Sequence, residues 1–178
     1  MIAFGHSSTG VIVGVGAVAV AQSGASPSLV WLLPATVAIG VASHYLCDAI
    51  PHGHYHFSST HPTTKQLALF ALDFFGVVIL FGVIALHKFG LGAGLWLIAA
   101  GVLGAQLPDI YEAFVDLRIL PTNKFSEAHR HWHWAILHWH HLRGPRLTKD
   151  TRALGWWDIW QVGVFGLALW LLVRVPSR

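Results

Sequence analysis

Residues 29–56 read LVWLLPATVAIGVASHYLCDAIPHGHYH, and this stretch decides which kind of fold the chain adopts. Residues 29–47 contain no Asp, Glu, Lys or Arg, and a run of that length matches the ~20 apolar residues that a helix needs to cross a bilayer. Asp48 follows directly, and Pro51 stops the helix shortly after it. The stretch therefore predicts a membrane-spanning helix whose end carries metal-ligand side chains.

The composition of the whole chain favours lipid over water as its surroundings. Of the 178 residues, 54% are hydrophobic and only 11% are charged, whereas a soluble domain carries about 25% charged residues. The nine Trp fit the same class, because Trp collects at membrane interfaces. No alternation of the β-barrel type is present, so helices must satisfy the backbone in lipid. We expect an all-α integral membrane protein with one domain, residues 1–178.

The apolar runs predict a bundle of four to five transmembrane helices. Segment 108–155 is too rich in His and charge to form another span, and we expect it on one side of the membrane. Within it, residues 123–142 predict a His-rich helix that lies in the interface and is anchored by its Trp residues. The predicted spans are 10–22, 29–47, 66–86, 91–107 and 156–175.

The basic residues predict which side faces the cytoplasm. Five spans place the termini on opposite sides, and eight of the 11 Lys and Arg fall on the side of Met1. The positive-inside bias makes that side cytoplasmic. Every His except His87 falls on the same side or at the end of a span that reaches it. We therefore expect a multi-pass protein of a bacterial-type inner membrane, with its N-terminus and His-rich loops in the cytoplasm.

A short internal repeat relates two of the predicted spans. GVASHYLCD (residues 40–48) aligns with GVLGAQLPD (residues 101–109), and both segments run toward the same side and end in Asp. Two parallel helical hairpins would produce this pattern, as in other membrane proteins built from repeats. Chance similarity is the alternative for so few matching positions.

The end of the second predicted span carries a candidate metal motif. His44 and Asp48 lie one helical turn apart on the same face, and His52 and His54 follow Pro51 at a spacing that gives them a common side in an extended loop. Imidazole and carboxylate are ligands that suit zinc and other first-row metals. These four residues are predicted ligands; a helix end followed by solvated histidines is the simpler alternative.

Two further segments carry candidate site residues. Asp109 and Glu112 follow Pro108 at helical spacing, and beside a His cluster they predict a metal ligand and a general base. Acidic residues also suit the first turn of a helix, which is the alternative for this pair. His129 and His133 have the i,i+4 spacing of helical zinc ligands. Their alternative is an interfacial helix whose His side chains meet anionic lipid.

Two family resemblances extend these motifs. The spacing of His44, Asp48 and His54 resembles the signature of zinc-dependent phospholipase C, which implies that these residues are ligands of a multinuclear zinc site. More of the chain resembles small bacterial membrane proteins identified as membrane-bound metal-dependent hydrolases, which implies that the N-terminal His of the chain is a ligand too. The matching residues are His6, His44 with Asp48, Pro108-Asp109, and His129-Arg130 with His133.

The leading functional hypothesis is a metal-dependent hydrolase that acts on a lipid or other phosphoester at the cytoplasmic face. Its cofactor is expected to be a divalent metal, with zinc ahead of manganese and iron. A bound ion of this class lowers the pKa of water and polarises a substrate oxygen. Glu112 is predicted to take the proton of that water, and Arg130 to neutralise an anionic substrate group.

Two alternatives remain at this point. A di-iron membrane desaturase or hydroxylase also gathers His at the cytoplasmic face, and residues 138–141 (HWHH) are one residue short of its usual box. The second alternative is a metal-binding or accessory membrane subunit, which would catalyse no reaction. The expected partner is membrane lipid, and an oligomer is left open. No nucleic-acid motif is present, and basic residues 143–152 more simply set the topology.

Overall fold

All regular secondary structure that the computed structural model describes is α-helical. The described residues are 3–23, 28–50, 64–116, 118–138 and 159–177. The prediction of an all-α chain is confirmed for these residues. The six helices are α1 (Ala3–Gln22), α2 (Leu29–Asp48), α3 (Thr64–Phe89), α4 (Ala93–Asp116), α5 (Lys124–His138) and α6 (Ile159–Arg174).

Three of the described helices are long and apolar enough to cross a membrane, namely Phe4–Gln22, Leu29–Asp48 and Ala93–Val115. The apolar helices Phe74–Phe89 and Ile159–Arg174 are shorter. Each of the five predicted spans overlaps one of these helices, although only three reach full length within the described residues. By length and composition, the chain is compatible with a membrane protein.

Large apolar side chains cover the outside of the bundle as well as its interior. Trp31 and Leu46 on α2 are 73% and 71% exposed, and Leu72 on α3 is 70% exposed. Inside, Val11 of α1 and Leu97 of α4 are fully buried. Many large apolar side chains exposed together are typical of a surface that meets lipid or protein rather than water.

The helices alternate in direction, so that one end of the bundle collects the starts of α1, α3 and α6. At the opposite end, the Gln22 side chain donates to the Pro176 carbonyl at 3.0 Å, and the Lys88 ammonium donates to the Val173 carbonyl. The ends of α1, α3 and α6 therefore lie together there. His6, near the start of α1, instead contacts Asp48 at the end of α2. The apolar helices of the described residues therefore alternate in direction, and three of them are long enough to span a membrane.

Two helix boundaries differ from the predictions. Helix α1 begins at Ala3 rather than at residue 10, because the hydroxyls of Ser8 and Thr9 bond to carbonyls of the preceding turn and need no water. Helix α4 runs through Pro108 to Asp116, so the span does not end at residue 107 and no helix begins at 108. A proline inside a membrane helix is tolerated where neighbouring helices stabilise the backbone around it.

Glycines let α4 approach both α1 and α2 at backbone distance. A Cβ atom at Gly14 would lie 2.6 Å from the Ile98 Cα, and one at Gly40 would lie 2.7 Å from the Gly101 carbonyl oxygen. Neither position has room for a side chain. Small residues of this kind allow the close helix contacts on which packing in lipid depends. Helix α4 consequently lies at the centre of the bundle, in contact with both neighbours.

Helix α5 begins at a capping arrangement at Asn123. The Asn123 side-chain oxygen accepts hydrogen bonds from the backbone N–H groups of Phe125 and Ser126 at 2.9 and 3.0 Å. In return, the Asn123 backbone N–H donates to the Ser126 hydroxyl at 2.8 Å. This reciprocal cap fixes where the helix starts, and hence which of its residues face the bundle. The predicted extension of this helix to residue 142 lies partly outside the described residues.

The glycine contacts predict opposite effects for two alanine substitutions in α1. Gly14→Ala should lower the melting temperature in detergent, because its methyl group must displace the α4 backbone; overpacking of this kind destabilises by about 1–3 kcal/mol. Gly16→Ala should leave stability unchanged or raise it, because nothing lies within 4 Å of its Cβ and alanine is the better helix former. Thermal unfolding followed by Trp fluorescence measures both. Equal melting temperatures for the two variants would contradict the α1–α4 contact.

Candidate metal centre

Four helices bring histidines and carboxylates together at the end of the bundle where α1 begins and α2 ends. The residues come from regions far apart in sequence, and their functional groups converge within hydrogen-bond or ion-pair distance. They are His6 from α1, His44 and Asp48 from α2, Asp109 and Glu112 from α4, and His129 and His133 from α5.

The register of α2 against α4 places the two aspartates at one level. Gly40 and Gly101 meet at the helix contact, and Asp48 and Asp109 each follow eight residues later in helices that run in the same direction. Eight residues of α-helix rise about 12 Å. Equal spacing from a common contact therefore carries both carboxylates to the same depth, as the internal repeat suggested.

Asp48 is the centre of the cluster. Its side chain is 1% exposed, and its Oδ2 atom lies 2.8 Å from His133 Nε2 and 3.0 Å from His44 Nε2. These two ring nitrogens are 3.2 Å apart. Two imidazoles and a carboxylate with ligand atoms at this spacing form a donor set suited to a first-row metal.

The outer hydrogen bonds of both rings direct their lone pairs at Asp48. His44 Nδ1 lies 2.8 Å from the Ala105 carbonyl oxygen, which can only accept, so Nδ1 carries the proton. His133 Nδ1 donates in the same way to Glu112 Oε2 at 2.7 Å. In the neutral rings both Nε2 atoms are then acceptors that face a carboxylate, an arrangement that calls for a cation between them. Metal-ligating histidines are commonly oriented by such outer partners.

His6 faces the same carboxylates from the other side. The residue is fully buried, and its Nε2 atom lies 3.2 Å from Asp48 Oδ1 and 3.8 Å from Asp109 Oδ2. Neither ring nitrogen makes a hydrogen bond of acceptable geometry within the described part of the chain. Its ring stacks on that of His44, with centroids 3.8 Å apart. A buried imidazole without a hydrogen bond is rare in folded proteins, and a metal ion bound to its nitrogen would account for it.

Asp109 connects the cluster to its surroundings. Its side chain is 38% exposed, whereas those of His6, His44 and Asp48 are almost completely buried. Its Oδ1 atom lies 3.6 Å from His44 Nε2 and 3.9 Å from His133 Nε2. Asp109 therefore lies at the mouth of the site, which is its accessible edge.

Three ligand sets arise from these residues, and in each of them one atom per residue lies within 4.8 Å of the others. Two sets surround the aspartates, and the third lies on the outer side of His133. The described residues give the sets His6/His44/Asp109, His44/Asp48/His133 and Glu112/His129/His133.

The electrostatics of α5 also favour a cation beside Asp48. Burial lowers the pKa of His133, but its hydrogen bonds to the Asp48 and Glu112 carboxylates outweigh burial and raise the pKa to about 9. Burial and the neighbouring charge of His133 lower the pKa of His129. Without a metal, a proton on His133 Nε2 therefore neutralises part of the carboxylate charge at neutral pH. A metal ion that binds here must displace that proton.

Tyr45 was not among the predicted site residues, yet it forms one wall of the site. Its hydroxyl lies 3.0 Å from His129 Nε2, and the edge of its ring contacts the rings of His44 and His133. The sequence feature that could have identified Tyr45 is its position between His44 and Asp48 on α2. At this position its side chain reaches His129 of α5. The Ala105 carbonyl was missed as well, because backbone acceptors leave no mark in a sequence.

Glu112 and Arg130 lie at the edge of the cluster, and other predicted residues lie outside the described part of the chain. Glu112 Oε2 bonds to His133, and Glu112 Oε1 lies 3.8 Å from the Arg130 Nε atom. Arg130 is partly exposed beside the site. His52 and His54 lie outside the described residues, as do the last two histidines of segment 138–141.

Comparison with known proteins assigns no function to this chain, so the functional assignment depends on the geometry of the site. No protein-family model, curated protein or solved structure matches this chain. The resemblances of the His and Asp motifs to hydrolase families therefore stay predictions. What the described residues provide is a set of His and Asp groups able to bind metal at one end of an apolar helical bundle.

Two substitutions in α5 test whether this cluster binds metal. His133→Ala should strongly reduce bound metal in the purified protein, because it removes the nitrogen nearest Asp48 and the partner of Glu112. His131→Ala is the control, since His131 is exposed on the other face of the same helix. Metal per chain is measured by plasma mass spectrometry after dialysis against zinc. Equal metal content in the two variants would remove His133 from the ligand set.

Proposed function

We propose that this protein is a membrane-embedded, metal-dependent hydrolase whose substrate is a lipid or another phosphoester. One observation carries the proposal: the Nε2 atoms of His44 and His133 converge on the buried Asp48 carboxylate while the partly exposed Asp109 lies at the mouth. A purely structural zinc site is closed, whereas a catalytic one keeps an open position. The exposed edge at Asp109 supports the second kind.

The chemistry of the donor set supports hydrolysis. A zinc-class ion bound here would lower the pKa of a coordinated water toward neutrality and polarise the substrate oxygen. Nitrogen and carboxylate ligands favour zinc, with manganese and iron as the alternatives. Around the ion, the buried rings of His6 and His44 exclude bulk water, which strengthens electrostatic interactions inside the site.

Arg130 supports an anionic substrate. Its side chain is 41% exposed and lies beside Glu112 at the edge of the site. A guanidinium that is partly solvated and held near a carboxylate can turn to a phosphate group and bind it through two parallel N–H donors. We assign Arg130 to substrate binding on this basis.

The membrane placement is part of the same proposal. The bundle would use α1, α2, α3, α4 and α6 as its spans, and α5 would lie in the interface with Phe125 and Trp132, which are 69% and 64% exposed, toward the lipid. The basic residues favour the cytoplasmic face of a bacterial-type inner membrane for the His end. The site would then meet headgroups, which is where a lipid phosphoester lies.

The hydrolase is tested with metal-loaded protein in mixed micelles. We expect it to cleave phosphatidate or phosphatidylglycerol, or the soluble substrate p-nitrophenyl phosphate, in a reaction that a chelator stops and added zinc or manganese restores. Asp48→Asn should lower turnover by more than the about 10–100-fold that loss of an outer-shell partner causes. Product release is measured by phosphate assay and lipid mass spectrometry.

The control for this assay is His131→Ala, which should keep full activity because it leaves the cluster intact. Absence of cleavage of every phosphoester by fully metal-loaded protein would overturn the hydrolase. Oxygen-dependent modification of acyl chains with bound iron would instead favour the desaturase or hydroxylase. Metal binding without either reaction would favour an accessory subunit.

Glu112 offers a separate prediction, because its bond to His133 Nδ1 makes it a positioning residue. Glu112→Gln should weaken metal affinity by about 10–100-fold, as outer-shell partners of ligand histidines do, while kcat at saturating metal stays near that of the unmodified protein. Competition with a fluorescent chelator measures the affinity. Glu127→Gln, at an exposed carboxylate of the same region, is the control.

The result separates two roles for Glu112. If Glu112 takes the proton of the attacking water, as the sequence suggested, the Gln variant will bind metal normally and lose kcat. Unchanged affinity together with a large loss of kcat would therefore contradict the positioning role and restore the general base.

A further inference from the structure

We propose that the centre holds two metal ions bridged by Asp48 and Asp109, with an open coordination position on the ion bound by His6. This inference rests on the proposed metal centre and specifies its stoichiometry and substrate charge. Three observations carry it: the stacking of His6 on His44, the division of each carboxylate between two sides, and the burial of His6 without a hydrogen bond.

The stacking favours one ion for each of the rings of His6 and His44 over a single ion shared by both. A metal binds in the plane of an imidazole ring at about 2.0–2.1 Å from its nitrogen. The ring centroids lie 3.8 Å apart, and the ring planes are inclined by only 17°. A single ion would have to lie well out of at least one of two nearly parallel planes, whereas two ions can each lie in the plane of their own ring.

Each of the two carboxylates directs one oxygen toward His6 and the other toward His44. Asp48 Oδ1 lies 3.2 Å from His6 Nε2, while Asp48 Oδ2 lies 3.0 Å from His44 Nε2. Asp109 repeats the division, with Oδ2 3.8 Å from His6 Nε2 and Oδ1 3.6 Å from His44 Nε2. Each aspartate thus presents one oxygen to each side, which is the arrangement of a bridging carboxylate. The equal spacing of the two residues from the Gly40–Gly101 contact produces this symmetry.

The two positions differ in how far the protein fills them. The first ion would have four protein donors, namely His44, His133 and one oxygen from each aspartate. The second would have His6 and the other two carboxylate oxygens. Three protein ligands leave the fourth position of a tetrahedral ion for water or substrate. The ions of two-metal hydrolytic sites lie about 3.5–4 Å apart, which is the separation expected for this pair.

The charge of such a centre selects its substrate. Two divalent ions carry four positive charges against the two negative charges of Asp48 and Asp109, and the charge of Arg130 at the edge is offset by that of Glu112. A group with negative charge spread over several oxygens would complete the site, since two ions can stabilise both the attacking and the leaving oxygen of an in-line displacement. An anionic phosphoester meets this requirement better than an uncharged carboxylic ester does.

Metal counting on the full-length protein in detergent tests the proposal. After loading with zinc, the unmodified protein and His131→Ala should each contain two ions per chain by plasma mass spectrometry. His6→Ala should contain one, because only the second position loses its nitrogen ligand. His6→Asn, which keeps a polar group near the position of Nδ1 but lacks Nε2, should also contain one ion. This second variant keeps the test valid if the Ala variant misfolds. Trp-fluorescence melting checks that both variants fold.

Manganese provides an independent readout. The unmodified protein loaded with Mn²⁺ should give the exchange-coupled electron paramagnetic resonance signal of a bridged pair, and His6→Ala should give the signal of an isolated ion. One ion per chain in the unmodified protein, or two ions in both His6 variants, would overturn the bridged pair.

The outcomes for the two proposals are separable. Hydrolysis by a protein that holds a single ion would overturn the bridged pair and keep the hydrolase. Two coupled ions in a protein that cleaves no phosphoester would support the bridged pair and overturn the hydrolase.

Discussion

The burial of the Asp48 carboxylate is the constraint on which the rest of this structure depends. A carboxylate at the end of an apolar bundle is costly unless a cation or several donors compensate its charge. Asp48 is 1% exposed, and nitrogens of His6, His44 and His133 surround it within 3.2 Å. Each of these histidines comes from a different helix, so that the compensation of one charge joins α1, α2 and α5.

The glycine contacts make this convergence possible. Without side chains at Gly14, Gly40 and Gly101, the backbone of α4 lies directly against α1 and α2. Asp109 and Glu112 on α4 can then reach the histidines of the other helices. The same contact fixes the depth of both aspartates, because each follows its glycine by the same number of residues. Packing in the middle of the bundle thus sets ligand geometry at its end.

The sequence predicted the members of the cluster better than the limits of the helices. His44 with Asp48 and His129 with His133 follow from helical spacing, and their common side follows from alternation of the spans; the structure brings His44, Asp48 and His133 into contact. The continuation of α4 through Pro108 could not be predicted from local rules, because those rules place proline at a helix boundary and neighbouring helices override them.

Other features depend on tertiary contacts that have no local signature. The stacking of His6 on His44 requires the α1–α2 geometry, and the tautomer of His44 depends on the carbonyl of Ala105. Pro108 has no N–H to donate, and Ala105 lies in the turn before it, within the same unbroken helix.

The position of the cluster along the helices favours chemistry at a surface over transport through the bundle. Transporters bind their ions near the bilayer midplane, typically where helices are interrupted. Here His6 lies in the first turn of α1 and Asp48 is the last residue of α2. Helix α4 continues two turns past Asp109, and Glu112 on this extension holds His133 of α5 over the site. Under the proposed membrane placement, an ion bound at this level would lie near one end of the bundle, with His133 of α5 beside it.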